Sequence, residues 1–327
     1  MAKLPGGFLA ALLIAWMALA AAGVLYAHGR GISTSAAAPV IAAFLVETPF
    51  YLVIGFPALR RRIGALRPPA GLPAYLAVSA LLPYLVCCCG ALPFQWTALA
   101  RLLAMALAIA LWYVVLPAMA LADLGFLALT GALILTGYLA PVYPDYLKQH
   151  LIILGHVTVI QMTVMVLILQ RRVPETGLGF WPSGREWRVG VLHFLYFMAI
   201  AFPLNVLLGA THLLRGVTGT LAPRPFWAVA AAFLGCLWVL PALSEEFYFR
   251  GVLQPWVEVW THNRTTALAV TSAVFGLIHY WFRGWKWVIL TAVLGWLCGR
   301  ARNQTGGIRA GVVTHSLVVA TWRAFFW

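Results

Sequence analysis

The run FLAALLIAWMALAAAGVLYA, residues 8–27, decides the fold class. It contains no charged side chain. An α-helix of about 20 apolar residues is long enough to cross the roughly 30 Å hydrocarbon core of a bilayer. Similar apolar runs recur along the whole chain, separated by short polar joints. The sequence therefore predicts an all-α, polytopic membrane helix bundle.

The composition agrees with this fold class. Of the 327 residues, 63% are hydrophobic and 9% are charged, whereas soluble domains are about 25% charged. We expect about 10–11 transmembrane helices, with a further helical segment at 244–260 that extends the eighth span. The predicted spans are 8–27, 37–57, 73–94, 98–120, 125–142, 150–169, 190–209, 226–243, 266–282, 286–300 and 308–326.

Basic residues in the joints predict the orientation. The net charge is +14, but these residues are scattered and form no basic face, so nucleic acid is not an expected partner. The positive-inside rule puts the N-terminus and both arginine-rich loops in the cytoplasm. The expected location is the cytoplasmic (inner) membrane of a bacterium. The loop arginines are Arg60, Arg61, Arg62 and Arg67 after the second span, and Arg171, Arg172, Arg185 and Arg188 after the sixth.

The first span and the cysteines have simple interpretations. Lys3 before an apolar run is typical of a signal peptide, but the many spans that follow favour an uncleaved signal-anchor. Cys87, Cys88 and Cys89 are consecutive, and neighbours in one helix point about 100° apart. That spacing does not predict a metal centre. We expect no cofactor, no metal and no disulfide framework.

The longest polar joint, Gln170 to Gly190, divides the chain. Residues 1–170 form a membrane region of six spans without an assigned function, and a second region is expected over residues 190–327. The first region has two isolated ionisable groups within spans, Glu47 and His156. Both are interpreted as structural, with local partners for the glutamate beside Pro49 and one backbone carbonyl for the histidine.

The second region concentrates the ionisable residues in three motifs. They are SEEFYFRG (244–251), FGLIHY (275–280) and GVVTHSLVV (311–319). An ionised residue at the centre of a span costs about 2.5–3.5 kcal/mol. Such residues must therefore be partnered or face water inside the protein.

Spacing separates the two adjacent glutamates. Glu246 and Arg250 are four residues apart and can form an ion pair on one helix face. Glu245 then lacks a cation in its own segment and is the candidate base. His279 and His315 come from separate helices, so a water held between a carboxylate and an imidazole could attack a carbonyl. The alternative is a set of unrelated polar contacts between helices.

Other protease signatures are missing from the sequence. It contains no H-E-x-x-H and no G-x-S-x-G, and Asp123 and Asp145 both lie at span edges. Zincin, serine and aspartyl mechanisms are therefore disfavoured.

Together the motifs resemble the CPBP family of CAAX proteases and bacteriocin-processing enzymes, described as glutamic-type intramembrane endopeptidases. The matching text is EEFYFRG (245–251), FGLIH (275–279) and GWLCGRARNQTGGIRAGVVTHSL (295–317). The resemblance implies that 190–327 is a CPBP-like protease domain, an all-helical bundle with a conical cavity. It also implies hydrolysis of a peptide bond near the terminus of a membrane-anchored protein or peptide.

The resemblance also implies a role for each motif residue. Glu245 would activate water with His279, and His315 would stabilise the oxyanion. Glu246 would take part in the site, and Arg250 and Phe275 would support it.

One position departs from the family pattern. Four residues after its last histidine the family usually has Asn or Asp, and here that position is Val319. Loss of one oxyanion donor typically lowers the rate about 10²–10³-fold. Either a nearby hydroxyl such as Ser316 or Thr314 substitutes, or the site belongs to an altered subfamily, or catalysis is weak.

Three alternatives stay open at the level of sequence. A sorting peptidase that removes C-terminal membrane anchors is one form of the protease. A zinc-dependent protease could use Glu245, His279 and His315 as ligands. A transport, binding or immunity protein could use the buried Glu, Arg and His groups as a proton or ligand path.

Overall fold

A computed structural model describes residues 6–66, 70–175, 177–211, 225, 229–230, 233, 235 and 240–325. Regular structure in these ranges is helical, apart from an isolated antiparallel bridge between Tyr146 and Gln149. This confirms the predicted all-α class. The chain separates into two compact units, Met1–Val173 and Pro174–Trp327, and their boundary falls within the polar joint that begins at Gln170.

The first unit contains seven described helices and a short 3₁₀ turn at Val53–Gly55. The helices are α1 (Gly6–Gly29), α2 (Thr34–Leu52), α3 (Pro57–Gly64), α4 (Gly71–Cys87), α5 (Trp96–Val115), α6 (Ala120–Leu135) and α7 (Ile152–Leu169).

Buried polar groups of the first unit are bonded between helices. The carboxylate of Glu47 on α2 accepts a hydrogen bond from the Thr158 hydroxyl of α7, at 3.1 Å. This partner lies 111 residues away, so the expectation of local partners was wrong for this bond. His156 does pair with a backbone carbonyl, that of Ile134. Asp123 binds the Arg171 guanidinium through both oxygens, at 2.7 and 2.8 Å.

The second unit begins its described helices with α8, which starts at a capping box. The Ser183 hydroxyl accepts from the Glu186 backbone N–H, and the Glu186 carboxylate accepts from the Ser183 backbone N–H. These two bonds satisfy orphan donors of the first turn. The helices are α8 (Gly184–Leu208), α9 (Pro241–Glu246), α10 (Gln254–Thr261), α11 (Arg264–Ile278), α12 (Tyr280–Arg283), α13 (Trp285–Thr305) and α14 (Arg309–Phe325).

Helices α9 and α10 are joined by a π-helical segment, Phe247–Leu253. The chain is therefore helical over 241–261, as predicted for 244–260. The π segment was not predicted, because it follows no hydrophobic period that distinguishes it from an α-helix. Most of the predicted eighth span, 226–243, lies outside the described residues.

Each of the other ten predicted spans overlaps a described helix, but the predicted ends of 73–94 and 125–142 run seven residues past the helices that end at Cys87 and Leu135. Among the residues that the structure describes, five helical segments are long and apolar enough to cross a membrane by length and composition. Three more apolar helices, α4, α6 and α11, are shorter. The full count of membrane crossings therefore stays a prediction. The five long segments are Gly6–Gly29, Thr34–Gly55, Trp96–Val115, Ile152–Leu169 and Gly184–Leu208.

Close contact between α8 and α14 depends on a glycine. A β-carbon added at Gly190 would lie 2.6 Å from Cβ of Val313 and 2.8 Å from the Ala310 carbonyl oxygen. At the same place the Thr314 hydroxyl donates to the Gly190 carbonyl at 2.9 Å. Glycine therefore lets the backbone of α8 lie directly against the helix that carries His315.

We expect Gly190→Ala to destabilise the protein by about 1–3 kcal/mol, because the added methyl overpacks this contact. Thermal unfolding of the purified protein in detergent measures the change. Gly184→Ala is the matched control, since a β-carbon at that position of α8 meets nothing within 4 Å. Equal melting temperatures for the two variants would contradict the packing described.

Candidate active site

Glu246 and Arg250 form a buried ion pair beside the π segment. Both side chains are 1% exposed or less, and the Arg250 Nη1 atom lies 3.3 Å from Oε1 of Glu246. The pair predicted from the i,i+4 spacing is therefore confirmed. Burial matters here, because an unpartnered charge inside a membrane bundle is strongly unfavourable.

The arginine has further partners on two other helices. Its Nη2 atom donates to the Gly295 carbonyl of α13 at 2.8 Å. Its guanidinium carbon lies 4.5 Å from the centre of the Phe275 ring of α11, within cation–π range. A β-carbon at Gly295 would lie 3.1 Å from Nη2, so glycine leaves the space that the guanidinium occupies.

Glu246 also holds His315 of α14. The His315 Nδ1 atom lies 3.0 Å from the same Oε1 atom. An ionised carboxylate only accepts hydrogen bonds, so Nδ1 carries the proton of this bond. The opposite ring nitrogen, Nε2, takes no part in the bond to Glu246. Carboxylate–histidine bonds of this kind fix the tautomer and the ring orientation.

Glu245 occupies a different environment from its neighbour. Its side chain is 23% exposed, and its Oε2 atom lies 3.8 Å from Nε2 of His315. That oxygen is buried and has no hydrogen-bond partner among the described residues. Glu246 is engaged through Oε1 by a cation and a histidine, and its Oε2 atom, like that of Glu245, has no hydrogen-bond partner among the described residues. What distinguishes Glu245 is its exposure and the absence of an arginine partner within the described residues.

His279 lies at the C-terminal end of α11, one turn after Phe275. Its Nδ1 atom is 2.7 Å from the Phe275 carbonyl oxygen. Because a carbonyl only accepts, Nδ1 carries the hydrogen and Nε2 can accept a proton. The Phe275 ring packs against both imidazoles, with ring centres 4.9 Å from His279 and 5.7 Å from His315.

Both histidines line a cavity of about 120 Å³. This is room for several water molecules, since a cavity needs roughly 10–15 Å³ of such volume to hold one. Val319 lines the same cavity, together with Thr291 and two arginines, Arg283 and Arg323.

The hydroxyls considered as substitutes at Val319 lie elsewhere. Thr314 donates to the Gly190 carbonyl of α8. Ser316 is fully buried, with its hydroxyl unpaired among the described residues. Neither belongs to the described lining of the cavity, whereas Thr291 does and donates to the Trp287 carbonyl at 2.6 Å.

The residues placed to hold a metal ion differ from those that the zinc hypothesis names. Ligand atoms of Glu246, Cys298 and His315 lie within 4.8 Å of one another, while the hypothesis named Glu245, His279 and His315. The observed set fits a cation poorly. Its carboxylate oxygen already contacts Arg250, whose positive charge would repel a metal ion.

Sequence reasoning missed two glycines and a cysteine that shape this site. A β-carbon at Gly311 would lie 2.8 Å from Oε2 of Glu246. The Cys298 thiol, also buried, lies 3.5 Å from the Gly311 carbonyl oxygen. Glycines at 295 and 311 occur inside apolar helices, and this placement is the one signal in the sequence that could have indicated close contacts.

Residues 225–321 match the family model described as Rce1-like, type II CAAX prenyl endopeptidase Rce1-like. This matched region contains all three motifs, which supports the resemblance to the CPBP family and a membrane protease in general. The match and the five long apolar helices support an integral membrane protein. The chain has no match among curated proteins and none among solved structures.

Arg250→Met tests the ion pair. Removing the arginine leaves the Glu246 charge buried with one partner fewer, so we expect a stability loss of about 3–5 kcal/mol. The double variant Glu246→Gln/Arg250→Met should recover part of the lost stability, because it no longer buries an ionised carboxylate at position 246. Thermal unfolding in detergent gives both values.

The control for this pair is Arg264→Gln. Arg264 is exposed and its ion pair with Glu258 has a 2.8 Å separation, so its loss is expected to change stability by less than about 1 kcal/mol. If Arg250→Met melted no earlier than this control, the buried pair would not stabilise the fold.

Proposed function

We propose that the protein is an intramembrane endopeptidase of the glutamic type. It hydrolyses a peptide bond near the terminus of a membrane-associated protein or peptide, using water activated by Glu245. The observation that carries the proposal is the placement of an uncommitted Glu245 oxygen 3.8 Å from His315 Nε2, while Glu246 holds the other side of that ring.

The reaction begins with a water molecule between Glu245 and His279. Glu245 takes a proton as the water oxygen attacks the peptide carbonyl carbon. His279 Nε2 orients the water by accepting a hydrogen bond from its second O–H, which stays on the attacking oxygen. The resulting tetrahedral intermediate has a negative oxygen. Collapse breaks the C–N bond, and the proton held by Glu245 passes to the leaving amine, which regenerates the carboxylate.

His315 stabilises the oxyanion in its protonated form. Nε2–H then donates to the developing negative charge, and Glu246 offsets the positive charge of the ring from the Nδ1 side. Glu246 is thus a positioning residue in this mechanism, and Arg250 fixes it in turn. Phe275 keeps the two imidazoles apart by packing against both.

The proposed substrate is a membrane-anchored protein or peptide, and the lipid bilayer is the other partner. We place the protein in a bacterial cytoplasmic membrane with a cytoplasmic N-terminus, on the strength of the arginine-rich joints. Removal of a C-terminal segment from a surface protein is one reaction of this type. The first unit has no assigned role.

Glu245→Gln is expected to abolish processing, because an amide cannot accept the proton of the attacking water. Loss of a general base lowers rates by about 10²–10⁴-fold. Comparative proteomics of membranes that contain the wild type or the variant should reveal proteins that retain a terminal segment. Glu258→Gln is the matched control, since Glu258 pairs with Arg264 and Arg302 away from the histidines. Undiminished processing by Glu245→Gln at normal protein levels would refute the mechanism.

Metal removal separates the glutamate mechanism from the zinc alternative. We expect purified protein to keep its full cleavage activity after dialysis against a chelator, because in the proposed mechanism Glu245 activates the water without a metal ion. Activity toward a substrate found by the proteomic comparison, with zinc content measured on the same sample, is the measurement. Activity lost on chelation and restored by zinc would favour the zinc-dependent protease.

A further inference from the structure

Glu47 of α2 has one unpaired carboxylate oxygen in the interior of the first unit. The side chain is 0% exposed. The hydrogen bond from Thr158 engages Oε1, whereas Oε2 is buried and has no hydrogen-bond partner among the described residues. The buried Arg60 does not balance this charge, because its guanidinium donates to the Ile54 carbonyl beyond the end of α2. A buried carboxylate needs a positive partner, and the Thr158 hydroxyl supplies none.

Three neutral side chains of the same unit also have unpaired polar groups. The hydroxyls of Tyr51 and Tyr143 and both polar atoms of the Gln161 amide are buried without a hydrogen-bond partner in the part of the chain that the structure describes. Each of these side chains is 1% exposed or less. Buried polar groups are nearly always satisfied in folded proteins, and leaving one unpaired is costly. Together with Glu47 they point to a polar ligand.

Helices α2 and α7 bring two of these groups toward Glu47. Tyr51 is four residues after Glu47 on α2, so the two side chains share one helix face. Gln161 is three residues after Thr158 on α7, and the Thr158 hydroxyl bonds to Glu47 at 3.1 Å. The amide of Gln161 therefore lies on the face of α7 that meets the carboxylate.

Tyr143 reaches the same region from the segment before α7. A β-carbon added at Gly155 would lie 3.0 Å from Cδ2 of the Tyr143 ring, and Gly155 is one turn before Thr158. The absence of a side chain at this position lets the ring lie directly against α7. Electrostatic interaction links Glu47 to the hydroxyls of both Tyr51 and Tyr143. The unpaired oxygens thus surround one carboxylate.

We propose that Glu47 is the charged ligand of a binding site for one alkali-metal cation in the first unit. The hydroxyl oxygens of Tyr51 and Tyr143 and the amide oxygen of Gln161 are its neutral ligands. Hard cations bind oxygen ligands of this kind. One negative charge matches a monovalent ion, because a divalent ion would leave a net positive charge in the interior. The site revises the expectation of no metal, and it does not rest on the proposed protease.

Protonation of Glu47 is the alternative way to remove the buried charge. It would place an O–H group at Oε2, where the described residues offer no acceptor. The two tyrosine hydroxyls and the Gln161 amide would also stay unpaired. A cation neutralises the carboxylate and engages several of these oxygens at once, so the observations favour the cation.

The test measures thermal unfolding of the full-length protein in neutral detergent. NaCl is replaced stepwise by the chloride of a bulky organic cation, which keeps the ionic strength constant. We expect the melting temperature to rise with Na⁺ and to saturate, with a gain of about 5 °C at roughly a hundredfold excess over Kd. Parallel series with LiCl and KCl identify the preferred ion, and equilibrium binding of radiolabelled Na⁺ gives Kd.

Glu47→Gln should abolish the dependence on Na⁺. In the organic salt this variant should melt at or above the wild type, because the amide keeps an oxygen for Thr158 and removes the unbalanced charge. A glutamate with a purely structural role would instead give a lower melting temperature in every salt. Asp145→Asn is the matched control, since this exposed carboxylate of the same unit pairs with His150 at 2.9 Å.

Substitution of the neutral ligands keeps the test valid if Glu47→Gln does not fold. Tyr51→Phe and Gln161→Met retain Glu47 and its bond to Thr158. Each should raise the Kd for Na⁺ about tenfold, as expected when a charged ligand loses one polar contact.

The outcomes separate a cation site from a structural glutamate. Stabilisation by any alkali ion that is lost in Glu47→Gln and kept in Asp145→Asn supports the site. A melting temperature that is the same in Li⁺, Na⁺, K⁺ and the organic cation overturns it. A Na⁺ dependence that survives unchanged in Glu47→Gln overturns it as well.

Discussion

The buried carboxylate of Glu246 is the interaction on which the second unit depends. It is fully buried, so its charge must be balanced inside the protein. Arg250 and His315 both contact its Oε1 atom, at 3.3 and 3.0 Å. These two bonds link the end of α9 to the π segment and to α14, and the hydrogen bond from Arg250 to Gly295 adds α13. One charge therefore determines how three helices meet.

This arrangement gives two adjacent glutamates different chemistry. Glu246 is fully buried and is held through Oε1 by a cation and a histidine. Glu245 is 23% exposed and has no arginine partner among the described residues. The Glu246 carboxylate stabilises the packing of the helices around it and orients the His315 ring. The Glu245 carboxylate is part-exposed, and the proposed hydrolysis requires it to exchange a proton with water.

Local sequence patterns predicted most of the helices and one ion pair of the candidate site. Apolar runs of membrane length gave the helices, and the four-residue spacing gave the Glu246–Arg250 pair, because both depend on neighbours along the chain. The Glu246–His315 bond depends on residues 69 positions apart and could not be read from spacing. The same holds for the Glu47 contact with Thr158, and for the glycines at 295 and 311. The resemblance to a known family supplied the grouping of motifs, and the structure supplied the orientation of the two imidazoles.

The packing of the second unit and the proposed chemistry both require Glu246 to hold His315 with the proton on Nδ1. The most direct measurement is ¹⁵N NMR of the histidine ring nitrogens in labelled full-length protein, with His315→Ala used to assign the signal. We predict a protonated Nδ1 in the wild type, and a loss of the strong hydrogen-bond shift at that atom in Glu246→Gln. A neutral ring protonated only on Nε2, unchanged by the substitution, would contradict it.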